Sequence, residues 1–179
     1  MVGPMIGAPQ AVMVLEKMIA LGVQRVVTVG WCGSLQPEVK IGDVVLPTGA
    51  FSEEGTSRHY PVEETETGPS ARIFRILKEK LREPEFVVHL GKVWTTDAPY
   101  RETPRKVQFY QESGALAVDM ETSALFQVAH FRAIELGSIL VVSDELFDMK
   151  WTPGFRESRF QETRRRLAEW IPEATAPLR

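Results

Sequence analysis

The sequence predicts an α/β fold: a three-layer sandwich with helices on both faces of a twisted, mostly parallel (mixed) central sheet. Two observations carry this. Short apolar runs alternate along the chain with segments whose apolar residues recur at helical spacing, the pattern of strands joined by helices. One run, Ile139-Leu140-Val141-Val142, is apolar at every position, the habit of a strand buried on both faces of a parallel sheet. The bulk composition fits a single domain. The 179 residues are 44% hydrophobic and 25% charged, enough to bury one sizeable core and too apolar for a disordered chain.

Composition also narrows the function. The formal net charge is −3, without the basic excess typical of nucleic-acid binders. The single cysteine, Cys32, cannot close an internal disulfide, which fits a reducing compartment. No run is long and apolar enough to span a bilayer. Met1-Val2-Gly3-Pro4 has neither the basic lead nor the apolar core of a signal peptide. The expectation is a cytoplasmic protein with neither nucleic acid nor membrane as partner. No His/Cys cluster has ligand spacing, so no metal and no organic cofactor is expected.

In chain order, Gly3, Pro4, Gly7 and Pro9 form a tight turn, and a helix runs from about Pro9 to Leu21. Ala11, Leu15, Met18 and Ile19 give it an apolar face and Gly22 ends it. Arg25 to Val29 is a strand leading into G-W-C-G-S-L-Q-P, with a turn over Gln36–Lys40. Ile41 to Pro47 is the next strand. Glu53 to Tyr60 is a loop, and Glu63 to Pro69 reads as an exposed connection. Ser70 to Leu81 is an amphipathic helix, with Ile73, Ile76, Leu77 and Leu81 opposite Arg72, Arg75, Lys78 and Lys80. Phe86 to Trp94 is a strand that ends in T-T-D-A-P-Y-R-E-T, and Thr103 to Ser113 is a helix. Thr122 to Phe131 is helical, with Leu125, Val128 and Ala129 in register. A last helix covers about Phe155 to Trp170. Arg164-Arg165-Arg166 reads as solvated helix surface, and Pro172 to Arg179 as a disordered tail. The domain is therefore expected over residues 1–171.

Two apolar runs end abruptly in carboxylates. A-V-D-M-E-T-S-A-L-F places Glu121 at a helix start, and I-L-V-V-S-D-E-L places Ser143 and Asp144 where a strand leaves the sheet. Ligands of open α/β sheets bind beyond the carboxyl ends of the strands. An acid there is half in a cleft and half in protein, which suits a tuned catalytic group. A carboxylate at a helix N-terminus is favoured by the dipole, stays ionised, and can accept two hydroxyl hydrogen bonds. Spacing alone is equally met by a helix cap and a solvated strand end, and short acidic motifs match often by chance.

M-E-T-S-A-L-F followed by V-V-S-D-E-L resembles the ribose-binding and catalytic segments of the purine nucleoside phosphorylase and uridine phosphorylase family. Further segments are similar to the same family in the same order, so the resemblance covers nearly the whole chain. It implies a nucleoside phosphorylase type of sheet. It implies ribose contacts from Glu121, Met120 and Ile6, the last in a G-P-M-I-G-A-P-Q loop beside the sugar. It implies base contacts from Thr96, Pro99, Val118 and Asp144, with Asp97 and Tyr100 supporting. Asp144, oriented by Ser143, would protonate the leaving base as in the purine-processing members; the Gln and Arg pair that reads uracil is not found. G-W-C-G-S-L is similar to a phosphate and ribose segment and would bring Gly30, Gly33, Thr28 and Trp31 to phosphate, the inorganic co-substrate.

The departures matter. Thr28 stands where phosphorylases carry arginine, so phosphate loses a bidentate, charge-assisted partner. The nucleosidase branch, which uses water, lacks that arginine too, and in that case Asp97 or Glu54 is the candidate base. The family's N-terminal strands, glycine loop and arginine precede the point where Met1 stands, which implies a shortened gene start or a trimmed member. A catalytically impaired nucleoside-binding paralogue is the third reading. Arg156 and Arg159 are candidates for an arginine assisting the acid, and His59 for a ligand contact, although a lone histidine is more often a surface residue. Arg101 reads first as an ion-pair partner. Trp31 reads first as core or interface packing. Trp31, Phe51 and Tyr60 together suit an apolar contact surface, and relatives assemble as dimers, trimers or hexamers, so a homo-oligomer is expected.

Overall fold

A computed structural model describes residues 2–62, 67–82 and 86–176. Eleven elements follow in order. They are α1 (Ala8–Ala20), β1 (Arg25–Ser34), β2 (Val44–Ser52), α2 (Ala71–Lys80), β3 (Val88–Thr95), α3 (Pro104–Glu112), β4 (Ala115–Asp119), α4 (Thr122–Phe131), β5 (Glu135–Glu145), β6 (Thr152–Pro153) and α5 (Ser158–Ala174). Short 3-10 turns at Ser57–His59 and Pro99–Arg101 complete the set. The α/β class and the mixed sheet stand as expected.

The layer arrangement does not. The strand order is β1-β4-β3-β2-β5-β6, and β1 also pairs with β5, so the first five strands close on themselves. The sandwich expected from the sequence is a barrel flanked by helices. The sheet is mostly parallel and mixed, as expected: the parallel ladders are the long ones and the antiparallel contacts are two residue pairs each. The pairs β1–β5, β2–β3 and β3–β4 are parallel, while β1–β4, β2–β5 and β5–β6 are antiparallel. Closure is a long-range property: it removes free edges, and no local periodicity encodes it.

β5 is the strand on which closure turns. Residues Leu136 through Ser143 are all buried, as the uninterrupted apolar run requires. Along its length β5 pairs in parallel with β1, from Arg25 opposite Glu135 to Ser34 opposite Glu145. On its other side Val141 and Leu140 face Val44 and Val45 of β2. The glycines permit close approach. A Cβ on Gly137 would meet Ile73 Cγ2 of α2 at 2.5 Å, and one on Gly30 would meet Leu140 Cδ2 at 3.1 Å. Gly30 to Ser34, read as following the strand, are therefore part of β1, and a bulge between Cys32 and Gly33 re-aims its end.

Three apolar clusters hold the helices on. α1 and α4 share one through Ala11, Val12 and Leu15 against Leu125, Val128 and Ala129, and Arg132 fixes the pair by a two-oxygen contact with Glu16. α2 and α5 cover β5 with Ile73, Leu77, Phe160 and Leu167. α3 sits with Leu35, Trp94, Val118 and Leu146. Two local readings are corrected by packing. α5 continues through Pro172 to Ala174, because Trp170 packs edge-on to Phe86 and Ala174 is buried; residues 177–179 lie outside the described residues. Of the connection read as exposed, residues 63–66 are not described, and Thr67 is buried.

Gly137→Ala tests the α2–β5 contact. The added methyl has no room against Ile73, so the variant should lose about 1–3 kcal/mol of unfolding free energy, read from the midpoint of a urea titration. An unchanged midpoint would mean that α2 moves aside without cost.

Candidate active site

The strand register brings Gly33, Val118 and Asp144 to one end of the barrel. Gly33 of β1 lies opposite Val118 of β4 on one side and opposite Asp144 of β5 on the other. Val118 and Asp144 are thus two strand spacings apart, on the order of 10 Å. The β1 glycine keeps the gap open. A Cβ there would lie 3.0 Å from Asp144 Oδ2, 3.3 Å from Val118 Cγ1 and 2.5 Å from Leu146 Cδ1.

Asp144 is half-buried at the end of β5. Burial pushes its pKa up, opposed by two donors. The Ser143 hydroxyl donates to Oδ1 at 2.6 Å and the Trp151 indole to Oδ2 at 3.0 Å. Ser143 thus fixes the orientation of the Asp144 carboxyl group. Trp151 was not foreseen, because its contact depends on how the chain doubles back through β6.

At the neighbouring strand end, Asp119 is the anchor. It is buried, accepts from the Thr95 hydroxyl at 2.6 Å, and takes the backbone amides of Thr122 at 2.8 Å and Glu121 at 3.3 Å. Asp119, and not Glu121, caps the start of α4. Glu121 is freed for the site, and its Oε1 accepts the backbone amide of Gly7 at 2.5 Å. This contact ties the loop of Ile6 and Gly7 to the Met120–Glu121 corner. The expectation that Glu121 simply stays ionised is corrected. Burial first, then the Asp119 charge, push its pKa up to about 7, so near neutral pH it is divided between its two forms.

A third carboxyl was passed over. Glu102, just after the 3-10 turn at Pro99–Arg101, has its pKa pushed up to about 7 by burial, then by the charges of Asp144 and Glu53. The T-T-D-A-P-Y-R-E-T segment held this residue in plain view, but its proximity to Asp144 is tertiary. Glu53 itself is committed, accepting the Trp94 indole N–H at 3.0 Å and pairing with Lys106.

The other candidates divide. Thr96 is buried, its amide bonded to the Asp119 carbonyl at 3.0 Å, while Pro99 and Tyr100 are exposed beyond it. Asp97 accepts the Gly55 amide at 2.8 Å, which joins two site loops. Thr28 lies on β1, five residues before Gly33, with its hydroxyl 3.5 Å from the Gly137 carbonyl. Trp31 is 47% exposed and packs on Phe155 and Phe160, with Arg164 over its ring. Ile6 is 75% exposed, and His59 and Arg156 are exposed. Arg159 pairs with the buried Asp43, a carboxylate that also lies 2.8 Å from His89 Nε2. That ion pair commits Arg159 to the α5–β2 junction. Glu54 is filled by donors. Against burial, the hydroxyls and amides around it hold its pKa down: Ser57, Ser52 and Ser123 hydroxyls and the Thr56 and Ser57 amides. Glu54 anchors its loop and has no oxygen spare to activate a water. Phe51 and Tyr60, read as exposed, are half-buried against Tyr110 and Phe131 respectively.

Among the described residues no group of three or more His, Cys, Asp or Glu could hold a metal ion. Among the described residues no helix is long and apolar enough to cross a membrane.

The family model of the Phosphorylase superfamily matches residues 1–173. The chain belongs to this superfamily. It is 31% identical over 141 residues to guanosine phosphorylase of Halorubrum lacusprofundi, covering 79% of this chain and 58% of that relative. The chain thus spans less than two thirds of the length of this curated relative. Among solved structures, this superfamily member superposes on purine nucleoside phosphorylase from Toxoplasma gondii in complex with immucillin-H with a TM-score of 0.86 at 23% identity, covering 97% of this chain and 71% of that one. It superposes on uridine phosphorylase from Vibrio fischeri with a TM-score of 0.77 at 25% identity, covering 94% and 67%.

The raised carboxyls have a measurable consequence for stability. A carboxyl with its folded pKa above its unfolded value stabilises fully below the unfolded value, about 4.5, and that contribution is lost as pH rises through the folded value, about 7. Glu102→Gln removes one such group. Relative to the parent protein, the variant should gain on the order of 1–2 kcal/mol at pH 8 over pH 5, after allowance for solvent screening. Urea unfolding at the two pH values gives the difference, and a pH-independent difference would mean that Glu102 is not desolvated.

Proposed function

We propose that this protein cleaves the N-glycosidic bond of a purine nucleoside, with inorganic phosphate as nucleophile, giving free base and ribose 1-phosphate. The observation that carries the reading is the half-buried Asp144, its pKa pushed up by burial, facing Val118 across Gly33 with Glu121 beyond. The reaction needs three services. Glu121, in its ionised form, accepts the ribose 2′- and 3′-hydroxyls while C1′ gains oxocarbenium character, with Met120 and Ile6 beside the sugar. Asp144, in its protonated form, gives its proton to purine N7 as the C–N electron pair moves onto the base. Phosphate attacks the opposite face of C1′ near Gly30, Thr28, Trp31 and Gly33. Thr96, Pro99 and Val118 line the base, with no metal or organic cofactor taking part.

The purine assignment rests on chemistry as well as likeness. A carboxyl can protonate N7 only of a purine, because pyrimidines have no equivalent atom. The guanosine phosphorylase relative and the purine nucleoside phosphorylase neighbour point the same way; the uridine phosphorylase neighbour is the counterweight. Thr28 favours a second reading, hydrolysis by water. We further infer a cytoplasmic homo-oligomer, since Trp31, Phe109 and Trp151 are exposed. A light-scattering mass of a single 20.2 kDa chain at micromolar concentration would reject it.

Release of base from inosine, guanosine and uridine, with and without phosphate, tests the reaction. Phosphate-dependent release faster from the purine nucleosides is expected, while phosphate-independent release would mean hydrolysis, and equal or faster uridine cleavage would remove the purine assignment. Asp144→Asn should lower turnover by roughly 10²–10⁴-fold, and less for bases that already leave easily. Equal loss on good and poor leaving groups would make Asp144 structural.

The pH profile of kcat/KM should fall on its acid side below about pH 7 as Glu121 takes up a proton. Glu121→Gln should abolish the acid limb and weaken nucleoside binding, a hydrogen bond to a charged group being worth about 1.5–3 kcal/mol. An unchanged nucleoside affinity would remove the ribose assignment.

A further inference from the structure

Trp151 is the unexplained contact at the candidate site. After β5 the chain turns at Leu146–Met149, with the Met149 amide bonded to the Leu146 carbonyl at 2.9 Å and Met149 itself at φ 63. It returns as β6, whose Thr152 and Pro153 pair with Glu145 and Asp144, and the Gly154 amide then donates to the Ser143 carbonyl at 2.8 Å. Trp151 is thereby carried back over the strand end. Its indole N–H reaches Asp144 Oδ2 at 3.0 Å while the residue is 58% exposed. With Ser143 on Oδ1 at 2.6 Å, both oxygens of the acid are taken by donors.

That arrangement is incompatible with the acid's proposed act. To protonate N7, an Asp144 oxygen must carry a proton and aim it at the base, and an oxygen that accepts an indole N–H does neither. The indole resembles what the acid faces after the act. A purine that has just received its proton is a fused six-five aromatic ring donating N7–H to a carboxylate. Trp151 is a fused six-five aromatic ring donating Nε1–H to the same carboxylate. We infer that Trp151 is an internal occupant of the base position, holding Asp144 as a carboxylate in the empty site and leaving when a purine enters. This rests on the reading of Asp144 as the acid that faces the base.

The surroundings allow the exchange. β6 is only two residues long, so little pairing is lost if it shifts. Phe155 stands 6.5 Å from the Trp151 ring, and Trp31 stands 6.2 Å from Phe155, both partly exposed. They offer an aromatic surface for the displaced ring. The move also couples binding to protonation. Besides Ser143 and Trp151, the titratable groups that feel the Asp144 charge are Glu102, from the segment between β3 and α3, and Cys32 of β1. Neither is a cation. Once the indole donor leaves, desolvation favours the protonated acid, so the site takes up a proton as a nucleoside enters.

The test uses the 15N-labelled protein and hypoxanthine as the probe. The chain has 4 tryptophans, and the Trp151 indole resonance is the one lost in Trp151→Phe; the other three report that the variant is folded. Saturating hypoxanthine should shift the Trp151 resonance and speed its exchange with water. Trp151→Phe should bind hypoxanthine roughly tenfold more tightly, the size of one hydrogen bond to a charged group. Calorimetry with inosine, whose N7 carries no proton, in phosphate-free buffers of differing ionisation heat should register proton uptake on binding that is smaller in the variant, a readout that a merely structural tryptophan would not move. Hypoxanthine binding with an unmoved Trp151 resonance and an unchanged or weaker affinity in Trp151→Phe overturns this inference and leaves the reading of Asp144 standing. No hypoxanthine binding at all overturns both.

Discussion

The pairing of β5 with β1 is the constraint on which the rest depends. Without it, the strands would end at two free edges and Gly33 would have no fixed distance to Asp144. With it, one glycine faces both Val118 and Asp144. The apolar content of β5 supplies the driving force: every residue from Leu136 to Ser143 is buried, and burial of a run that long is the main favourable term in folding. The close approach at Gly137 lets sheet and helix meet at that density, and the one at Gly30 makes room for Leu140 of β5. The end of the barrel that holds the candidate site is thus built from the same packing that closes it.

A second theme is how the protein sets the charge state of carboxyls that are all partly or wholly withdrawn from water. Desolvation raises the proton affinity of Glu54, Glu102, Asp119, Glu121 and Asp144 alike. What sets Glu54 apart from Glu102 and Glu121 is the count of donors. Glu54 has three hydroxyls and two amides and is held ionised as a loop anchor. Glu121 has the Gly7 amide and a like-charged neighbour, and Glu102 has two like charges. Those two are left near neutrality, where a group can change state during a reaction. Identical side chains become scaffold or working groups according to the hydrogen bonds that reach them.

Much was legible in the sequence, and it was legible where the cause is local. The periods of apolar residues placed each helix within a few residues, and α4 falls on Thr122–Phe131 as read. The uninterrupted run at Ile139–Val142 marked the most buried strand. The two carboxylate-ended runs placed Glu121 at the start of α4 and Asp144 at the end of β5, positions that chain order records.

Tertiary structure alone decided the rest. Whether the sheet stays open or closes depends on β1 meeting β5, residues more than a hundred positions apart, and no local pattern carries that information. The continuation of α5 past Pro172 depends on Trp170 finding Phe86. Glu54 is an anchor and not a base because Ser123, 69 positions away, donates to it. Glu102 and Trp151 join Asp144 only through the folds of two loops. Sequence sets which groups exist and which element bears them; the distances and the desolvation that fix their protonation arise when the barrel closes.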